Sequence, residues 1–257
     1  MYNGSMTMLK FSPENAKTKK LRTIAELQKY LGKVGRKQRK IYSLDLLAGY
    51  TCPGAKECLS KVVILDGKRK IKDGPDCKFR CYAASGEVRL PAVYNLHKHN
   101  TDLLKPLRSE RKMVDLIEKS MPEDAGILRW HSSGGFFNRT YFDAVATVAR
   151  NHTDKLFYAY LKNLPVLLNH QMIDPSHGVF MDNFMLTASR GGRYDHMIKP
   201  LKLREVVVVN YDYEATMDID DNDSHAATMG GSFNLLVHGS QPAGSDAAKA
   251  VAAQRVR

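Results

Sequence analysis

Four cysteines are the residues of this chain best suited to carry chemistry. They lie within 30 residues, as Cys52 and Cys58 in TCPGAKEC and Cys77 and Cys81 in DGPDCKFRCYAA. Two close pairs joined by a short segment can converge on one metal centre. Four thiolates are a common ligand set for [4Fe–4S] clusters, and structural zinc accepts the same set. The sequence therefore predicts one metal centre that is shared by all four cysteines.

The identity of the metal is a choice between iron and zinc. The intervals of five and three residues within the pairs favour a [4Fe–4S] cluster over a zinc ribbon, and zinc stays the alternative. Disulfides or inert buried thiols are the rival interpretation. Disulfide frameworks belong to small secreted domains, and the N-terminal residues show no apolar stretch of signal-peptide type. We therefore expect reduced thiols and a cytoplasmic protein.

The second cysteine pair partly resembles the radical S-adenosylmethionine signature. Cys77 and Cys81 have the right interval and Tyr82 follows, but Ala84 stands where the third cysteine of that signature would be. Such chemistry needs one iron that carries no protein thiolate, and four cysteine ligands would close the cluster. The pattern therefore favours a structural or electron-transfer cluster, with a radical S-adenosylmethionine-like enzyme as an alternative.

Other candidate functional residues follow apolar runs that are typical of buried strands. We predict that they line an anion-binding pocket beside the metal centre. The candidates for chemistry are His131, Ser133 and His238, and the candidates for ligand binding are Lys162, Arg190, Arg193 and Gln241. Two plainer interpretations stay open: the histidines could be hydrogen-bonded rim residues, and SRGGRYD could be a tight turn in which Arg190 or Arg193 pairs with Asp195.

The elements that must position these residues alternate along the chain. Apolar runs predict six strands, within residues 41–52, 126–134, 155–163, 183–192, 204–210 and 232–239. Helical patterns lie between several of them, and Asp66-Gly67 predicts a hairpin turn between the cysteine pairs. Strands that alternate with helices indicate a mostly parallel sheet, and functional groups then gather at the carboxyl ends of the strands. We predict an α/β fold with an incomplete (β/α) barrel-like core and the metal site at that rim.

Charge is concentrated near the N-terminus of a chain whose net charge is +12. Residues 10–40 hold eleven basic residues and two acidic ones. We divide the chain into a basic arm at residues 1–40 and one α/β domain at residues 41–257. The arm predicts binding to nucleic acid or another polyanion, so a nucleic-acid-binding protein with a structural metal is the second functional hypothesis. The plainer interpretation is a solvated face whose lysines pair with the acidic stretch 212–223. No apolar run is long enough to span a membrane.

Three local patterns give further expectations. The run DIDDND at residues 218–223 lacks the glycine and the glutamate of an EF-hand loop and is predicted to be a solvated acidic loop. His97 and His99 lie on a basic helical pattern and are predicted to be surface residues. Thr140 with Asp143 resembles a helix-capping arrangement, and Ser245 is the expected N-cap of the last helix.

Several segments together resemble one known family over nearly the whole chain. They are NAKTKKL, YSLDLLAGYTCPGAKEC, DGPDCKFRCYAASGEVR, LRWHSSGGFFNRTYFDAVATVARN, FYAYLKNLP, LTASRGGRYD and SFNLLVHGSQPAGSDA. They are similar to the bacteriophage "gene product 88" family. The resemblance implies a phage-encoded protein that acts in the bacterial cytoplasm, with a host protein as a further candidate partner, and it implies no reaction. The family has an aspartate where Gly135 stands here, so we assign no carboxylate to the site.

Overall fold

The computed structural model describes residues 7–255, which form a mixed α/β fold around one mostly parallel sheet. The strands are β1 Ser12–Pro13, β2 Lys33–Val34, β3 Lys37–Gln38, β4 Lys40–Leu44, β5 Ser60–Leu65, β6 Lys68–Asp73, β7 Ala125–Trp130, β8 Leu156–Leu161, β9 Val179–Met181, β10 Phe184–Ser189, β11 Glu205–Val209 and β12 Phe233–Leu236. The helices are α1 Gln28–Leu31, α2 Tyr82–Arg89, α3 Pro91–Leu104, α4 Glu110–Ser120, α5 Arg139–Asn151, α6 Ser224–Ala227 and α7 Asp246–Gln254. Short 3₁₀ turns occupy Thr18–Thr23, Ala25–Leu27, Leu164–Leu167, Pro175–His177, Asp195–Met197 and Asp212–Glu214.

The central sheet has the strand order β1-β4-β7-β8-β10-β11-β12. All neighbours from β4 to β12 are parallel, whereas β1 joins β4 and β9 joins β10 in antiparallel pairing. The six predicted strands thus form the parallel part of the sheet, which confirms the α/β class. Over residues 7–255 no pairing joins β12 back to β1, and a barrel-like core stays a prediction.

The sheet is covered on both faces, as its continuous apolar strands require. Successive side chains of a strand point to opposite faces. Leu128 and Trp130 pack in one core with α4 and α5. Ile127 packs in a second core with Leu21 and Phe233. The two cores fix which residues of each strand reach the carboxyl edge and in which direction they face.

The region of residues 20–33 differs from the single helix expected from its spacing. It forms two 3₁₀ turns followed by the single-turn helix α1, although Leu21, Leu27 and Leu31 are buried as the stripe predicted. No side chain caps any of these turns. Packing against the sheet therefore holds this segment. The division at residue 40 stays a prediction.

Two of the three predictions about turns and caps are confirmed. Asp66 and Gly67 both have positive φ and join β5 to β6, as an Asp-Gly hairpin turn requires. Ser245 caps α7 by accepting a hydrogen bond from the amide of Ala248. Helix α5 begins earlier than Thr140 predicted, because Asn138 is its N-cap and accepts a hydrogen bond from the amide of Tyr141.

Residues 45–124 leave the sheet after β4 and return to it at the adjacent strand β7. This excursion holds both cysteine loops, the β5–β6 hairpin and helices α2, α3 and α4. None of the helices described over residues 7–255 has both the length and the apolar character that a membrane crossing needs.

Candidate metal centre

The first cysteine loop lies against the carboxyl edge of the sheet, where two glycines permit close contact. A Cβ atom on Gly54 would stand 2.3 Å from the carbonyl oxygen of Lys162, at the end of β8. Gly134, after β7, has a positive φ, and a Cβ atom there would stand 2.5 Å from Oγ1 of Thr51. Ala55 also forms a bridge with Gly192 beyond β10. The loop therefore rests on the ends of three neighbouring strands.

The second cysteine loop is tied to the first through the backbone of Glu57. Its carbonyl oxygen accepts hydrogen bonds from the amides of Lys78, at 2.7 Å, and Phe79, at 3.2 Å. The other side of the loop is held by Gln241. The side chain of Gln241 accepts from the amide of Arg80 and donates to its carbonyl oxygen, at 2.7 and 3.1 Å. These bonds hold the two loops together from opposite sides.

The four thiols are free, and the charge of Cys58 acts on each of the other three. Burial raises the pKa of Cys52 to about 11, and repulsion from Cys58 adds to the rise. Burial raises the pKa of Cys81 to about 12, with further contributions from Cys58 and Cys52. The pKa of Cys77 is raised by burial and, to a smaller degree, by Asp73 and Cys58. Such thiols are protonated at neutral pH and are poor nucleophiles.

The donor set fits a thiolate-bound metal in its chemistry. The amides of Ala83 and Ala84, in the first turn of α2, oppose the rise in the pKa of the Cys81 thiol. Amide groups at a helix N-terminus stabilise a negatively charged sulfur. Within residues 7–255, no group of three or more His, Cys, Asp or Glu side chains is arranged to hold a metal ion.

A cavity of about 330 Å³ opens beside the cysteine loops. Its lining includes seven of the residues that the sequence singled out: Cys52, Cys58, Cys81, His131, Ser133, Lys162 and His238. Four others lie outside the lining: Cys77, Arg190, Arg193 and Gln241. Most of the predicted pocket residues are therefore gathered at one end of the sheet.

His131 is a neutral, buried hydrogen-bond donor in the cavity wall. The Trp130 indole nitrogen donates to the Tyr141 hydroxyl at 3.1 Å. Among residues 7–255 the only acceptor for that hydroxyl's own proton is His131 Nε2, at 3.0 Å. Burial lowers the pKa of His131 to about 3. The remaining proton of the neutral ring is therefore on Nδ1. This Nδ1 is buried and has no hydrogen-bond partner among residues 7–255.

Ser133 belongs to a buried network around Glu87, which the sequence analysis did not single out. Oε1 of Glu87 lies 3.0 Å from Ser133 Oγ, 2.8 Å from His97 Nδ1 and 2.9 Å from the amide of Ala48. Its Oε2 is buried without a partner in the described part of the chain. The prediction of a surface position for His97 is wrong, since this ring is only 7% exposed. The available signal for a buried His97 was an acidic residue, Glu87, on the preceding helix. Helical spacing alone could not show that these two side chains come together.

His238 faces the cavity beside an aromatic ring. Its ring centroid lies 4.5 Å from that of Tyr82, whose hydroxyl donates to the carbonyl of Ser132. The residue as a whole is exposed, and it also contributes to the cavity lining. The protein on the cavity side displaces water from the ring and, with Lys17 and Arg129 nearby, lowers the pKa of His238 to about 4. His238 is therefore neutral at physiological pH.

Lys162 lies between the end of β8 and the first cysteine loop. Its ammonium group donates to the carbonyl oxygens of Ser189 and Arg190. It also opposes the rise in the pKa of the Cys58 thiol, which places its charge close to that sulfur. No carboxylate pairs with this ammonium group among residues 7–255. Lys162 is thus a cation in the cavity wall that is available to an anionic neighbour.

Apart from Ser189, the SRGGRYD segment lies outside the cavity lining. Arg190 pairs with Glu205, and Arg193 has an exposed side chain. The amides of Gly191 and Gly192 donate to the carboxylate of Asp195, at 2.8 and 2.9 Å. The tight turn is therefore present, but a backbone–carboxylate contact closes it and neither arginine pairs with Asp195.

The floor of the cavity contains a charge cluster that sequence reasoning missed. Arg129 of β7 pairs with Asp223 at 2.9 Å, and Lys17 pairs with the same carboxylate at 3.0 Å. The prediction that residues 218–223 form a solvated loop holds for Asp218 and Asp221, whose side chains are exposed. It is wrong for Asp220, which is 2% exposed, and for Asp223, which is fully buried. The available signal was an arginine within an apolar strand, because a buried arginine needs an acidic partner.

Comparison with known proteins identifies the family. The family model described as "Gene product 88" matches residues 8–256. The resemblance seen in the sequence is thereby confirmed over nearly the whole chain. No curated protein and no solved structure matches it.

Proposed function

We propose that this chain, which belongs to the Gene product 88 family, is an iron–sulfur protein of phage origin. In this proposal the cysteine loops hold a [4Fe–4S] cluster beside an anion-binding cavity. The cluster fastens the loops to the sheet or carries electrons. The protein acts in the bacterial cytoplasm, where thiols stay reduced.

One observation carries this proposal. Three free thiols from two separate loops line one cavity at the carboxyl edge of a parallel sheet. Their raised pKa values argue against nucleophilic cysteines. A metal ligand, in contrast, gives up its proton to the metal, so a raised pKa in the metal-free protein is compatible with binding.

The chain's own residues would support such a cluster in distinct ways. A [4Fe–4S] cluster supplies one-electron chemistry, and its potential depends on nearby charge, hydrogen bonds and solvent exposure. Lys162 supplies positive charge beside Cys58. The unpartnered Nδ1 of His131 supplies a neutral donor in the same wall. Phe136 and Val237 line the cavity with apolar surface and limit the access of water.

The experiment is a determination of iron, sulfide and zinc in protein purified without oxygen, together with a visible absorption spectrum. About four irons and four sulfides per chain and broad absorption near roughly 400 nm are expected. The variant Cys52→Ser with Cys81→Ser should lose both, whereas the control Ser176→Ala, at an exposed position, should keep them. One zinc per chain and a colourless protein would contradict the proposal.

Polyanion binding is a second candidate function, favoured by the β5–β6 hairpin. Lys61 lies directly opposite Lys72 in this pair of strands. Lys68 and Lys70 lie on the same strand as Lys72, two residues apart in each step, so all three side chains point to the same face of the hairpin. Like charges directly opposite one another are destabilising, and no ion pair neutralises these lysines within residues 7–255. A bound polyanion would relieve that repulsion.

Part of the basic arm at residues 10–40 is engaged within the protein. Lys17 pairs with Asp223 and Lys20 with Asp221, as the plainer interpretation of the arm expected. Lys33 and Lys37 instead lie on the exposed β2–β3 hairpin. Nucleic-acid binding, if the arm contributes to it, would therefore use this hairpin.

A further inference from the structure

We infer that three cysteines, Cys52, Cys58 and Cys81, hold the cluster and that Cys77 is not a ligand. One iron then carries no protein thiolate and faces the cavity, where it can take a small anionic ligand. This inference rests on the proposed function and specifies the ligand set of that site.

The cavity separates the cysteines three to one. Cys52, Cys58 and Cys81 are part of its lining, and Cys77 is not. The first loop contributes Cys52 and Cys58 to this lining and the second loop contributes Cys81. Both loops therefore present thiols to the cavity, and the fourth thiol lies outside its wall.

Cys77 already has protein partners for its thiol. The Sγ atom donates to the carbonyl oxygen of Phe79 at 3.2 Å and lies 3.6 Å from Oγ of Ser60. A thiolate bound to iron has no proton with which to make the first of these bonds. The amide of Cys77 also donates to Gly74, which ties the residue to the end of the hairpin. These contacts give Cys77 a structural role in the turn.

Two of the cavity thiols have backbone amides close to their sulfur atoms. The amides of Ala83 and Ala84 oppose the rise in the pKa of Cys81, and the amide of Gly49 opposes the rise in the pKa of Cys52. Donors directed at sulfur suit a thiolate, since hydrogen bonds to the sulfurs tune such clusters.

An iron without a thiolate would face a wall that favours anions. Lys162 lines the cavity near Cys58 and has no carboxylate partner in the described part of the chain. The buried Nδ1 of His131 also lacks an acceptor among residues 7–255. A small anion that coordinates the open iron could accept from either donor. The space beside Gly135 adds room, because a Cβ atom there would meet only the carbonyl of Thr51, at 3.5 Å.

The test compares the four single cysteine-to-serine variants of the full chain, purified without oxygen and without added thiols. Iron and sulfide content is measured for each. We expect Cys77→Ser to keep the iron and sulfide of the wild type, and Cys52→Ser, Cys58→Ser and Cys81→Ser each to lose most of both. Circular dichroism spectra show whether each variant is folded. If Cys77→Ser loses its iron as the other three do while remaining folded, the inference is overturned and the proposed function stands.

A second measurement addresses the open iron directly. The reduced cluster of the wild type and of Cys77→Ser is studied by electron paramagnetic resonance with and without cyanide, a small anion that binds accessible iron. A change of the spectrum in both proteins supports the open position. An unchanged spectrum overturns it. If the wild type contains no iron at all, the proposed function fails together with the inference.

Discussion

Asp223 and Arg129 form an ion pair in which both side chains are buried, with 2.9 Å between Asp223 Oδ2 and Arg129 Nη1. The hydroxyl of Tyr158 donates to the same carboxylate at 3.1 Å, and Lys17 pairs with it from the N-terminal segment. Asp223 has a φ of 63°, in the left-handed region that aspartate and asparagine tolerate. One residue thus joins the acidic loop, the sheet and the N-terminal segment beneath the cavity.

Asp223→Asn should destabilise the protein by about 3–5 kcal/mol, because it leaves the buried Arg129 without its counter-charge. Asparagine keeps the shape and tolerates the backbone conformation. The free energy of unfolding in urea measures the effect. Asp221→Asn is the matched control: its pair with Lys20 is exposed and should contribute less than about 1 kcal/mol. Equal losses of unfolding free energy in the two variants would show that the buried ion pair contributes no more to stability than the exposed one.

Gly54→Ala should destabilise the protein and loosen the first cysteine loop, because the new methyl group would stand 2.3 Å from the carbonyl oxygen of Lys162. Thermal unfolding measures the change. In contrast, Gly86→Ala in helix α2 meets no atom within 4 Å and should stabilise the protein by up to about 1 kcal/mol. A neutral Gly54→Ala would mean that the loop and β8 are not in close contact.

His131 should make the protein less stable as the pH falls. Its pKa is lowered from 6.5 to about 3 in the folded chain, chiefly by burial, while Asp45 opposes the shift. Between these values the unfolded chain binds a proton that the folded chain excludes. The stability that His131 contributes is fully present above the pKa of the unfolded chain. It is lost as the pH falls towards the pKa of the folded chain, at up to about 1.4 kcal/mol per pH unit.

The variant His131→Gln removes that titration but can still accept from Tyr141. Unfolding in urea at pH 7, 6 and 5 should show a smaller loss of stability for the variant than for the wild type. Parallel curves for the two proteins would contradict the burial of a neutral imidazole.

Gln241→Ala should free the second cysteine loop, because the side chain bonds to both the amide and the carbonyl of Arg80. Loss of a partner for a buried group costs about 1–3 kcal/mol, so we expect the amide of Arg80 to exchange its hydrogen about 10–100 times faster. Hydrogen exchange measures this rate. The control Gln28→Ala removes an exposed glutamine that also bonds to carbonyl oxygens and should leave the rate unchanged.

Lys68→Glu combined with Lys70→Glu should weaken binding to duplex DNA, if the β5–β6 hairpin is a polyanion site. The slope of the logarithm of the binding constant against the logarithm of the salt concentration should decrease in magnitude by about one for each phosphate that the hairpin no longer neutralises. Fluorescence anisotropy at several salt concentrations measures both effects. Lys112→Glu with Lys199→Glu makes the same change of net charge at exposed positions elsewhere. If this control weakens binding equally, net charge and not the hairpin is responsible.

The parallel sheet was predictable from sequence because each of its strands is a short apolar run flanked by polar residues. The strand β7, for example, is buried at every position. Parallel strands bring their carboxyl ends together, so His131, Lys162 and His238 could be expected near Cys52 before the fold was known. The long segment at residues 45–124 does not change this expectation, because the chain returns from it to β7, the parallel neighbour of β4.

The charge cluster and the Glu87 network could not be predicted in the same way. DIDDND contains four aspartates, and nothing in their order distinguishes the buried Asp220 and Asp223 from Asp221, whose side chain is 71% exposed. The choice depends on where Arg129 and Tyr158 lie in three dimensions. Similarly, Arg190 pairs with Glu205 because β11 lies beside β10, which is a property of strand order.

The return of the chain to β7 has a consequence for the order in which the protein is made. Strand β4 ends at Leu44, and its parallel neighbour begins at Ala125, so the ribosome must add about 80 residues before the two can pair. At a synthesis rate of about 5–20 residues per second, this takes roughly 4–16 seconds. The cysteine loops leave the ribosome within this interval, before β8 and β10, on whose ends they rest, have been synthesised. If the cysteine loops bind a metal as proposed, the edge of the sheet that supports the first loop is complete only after β10 has been synthesised.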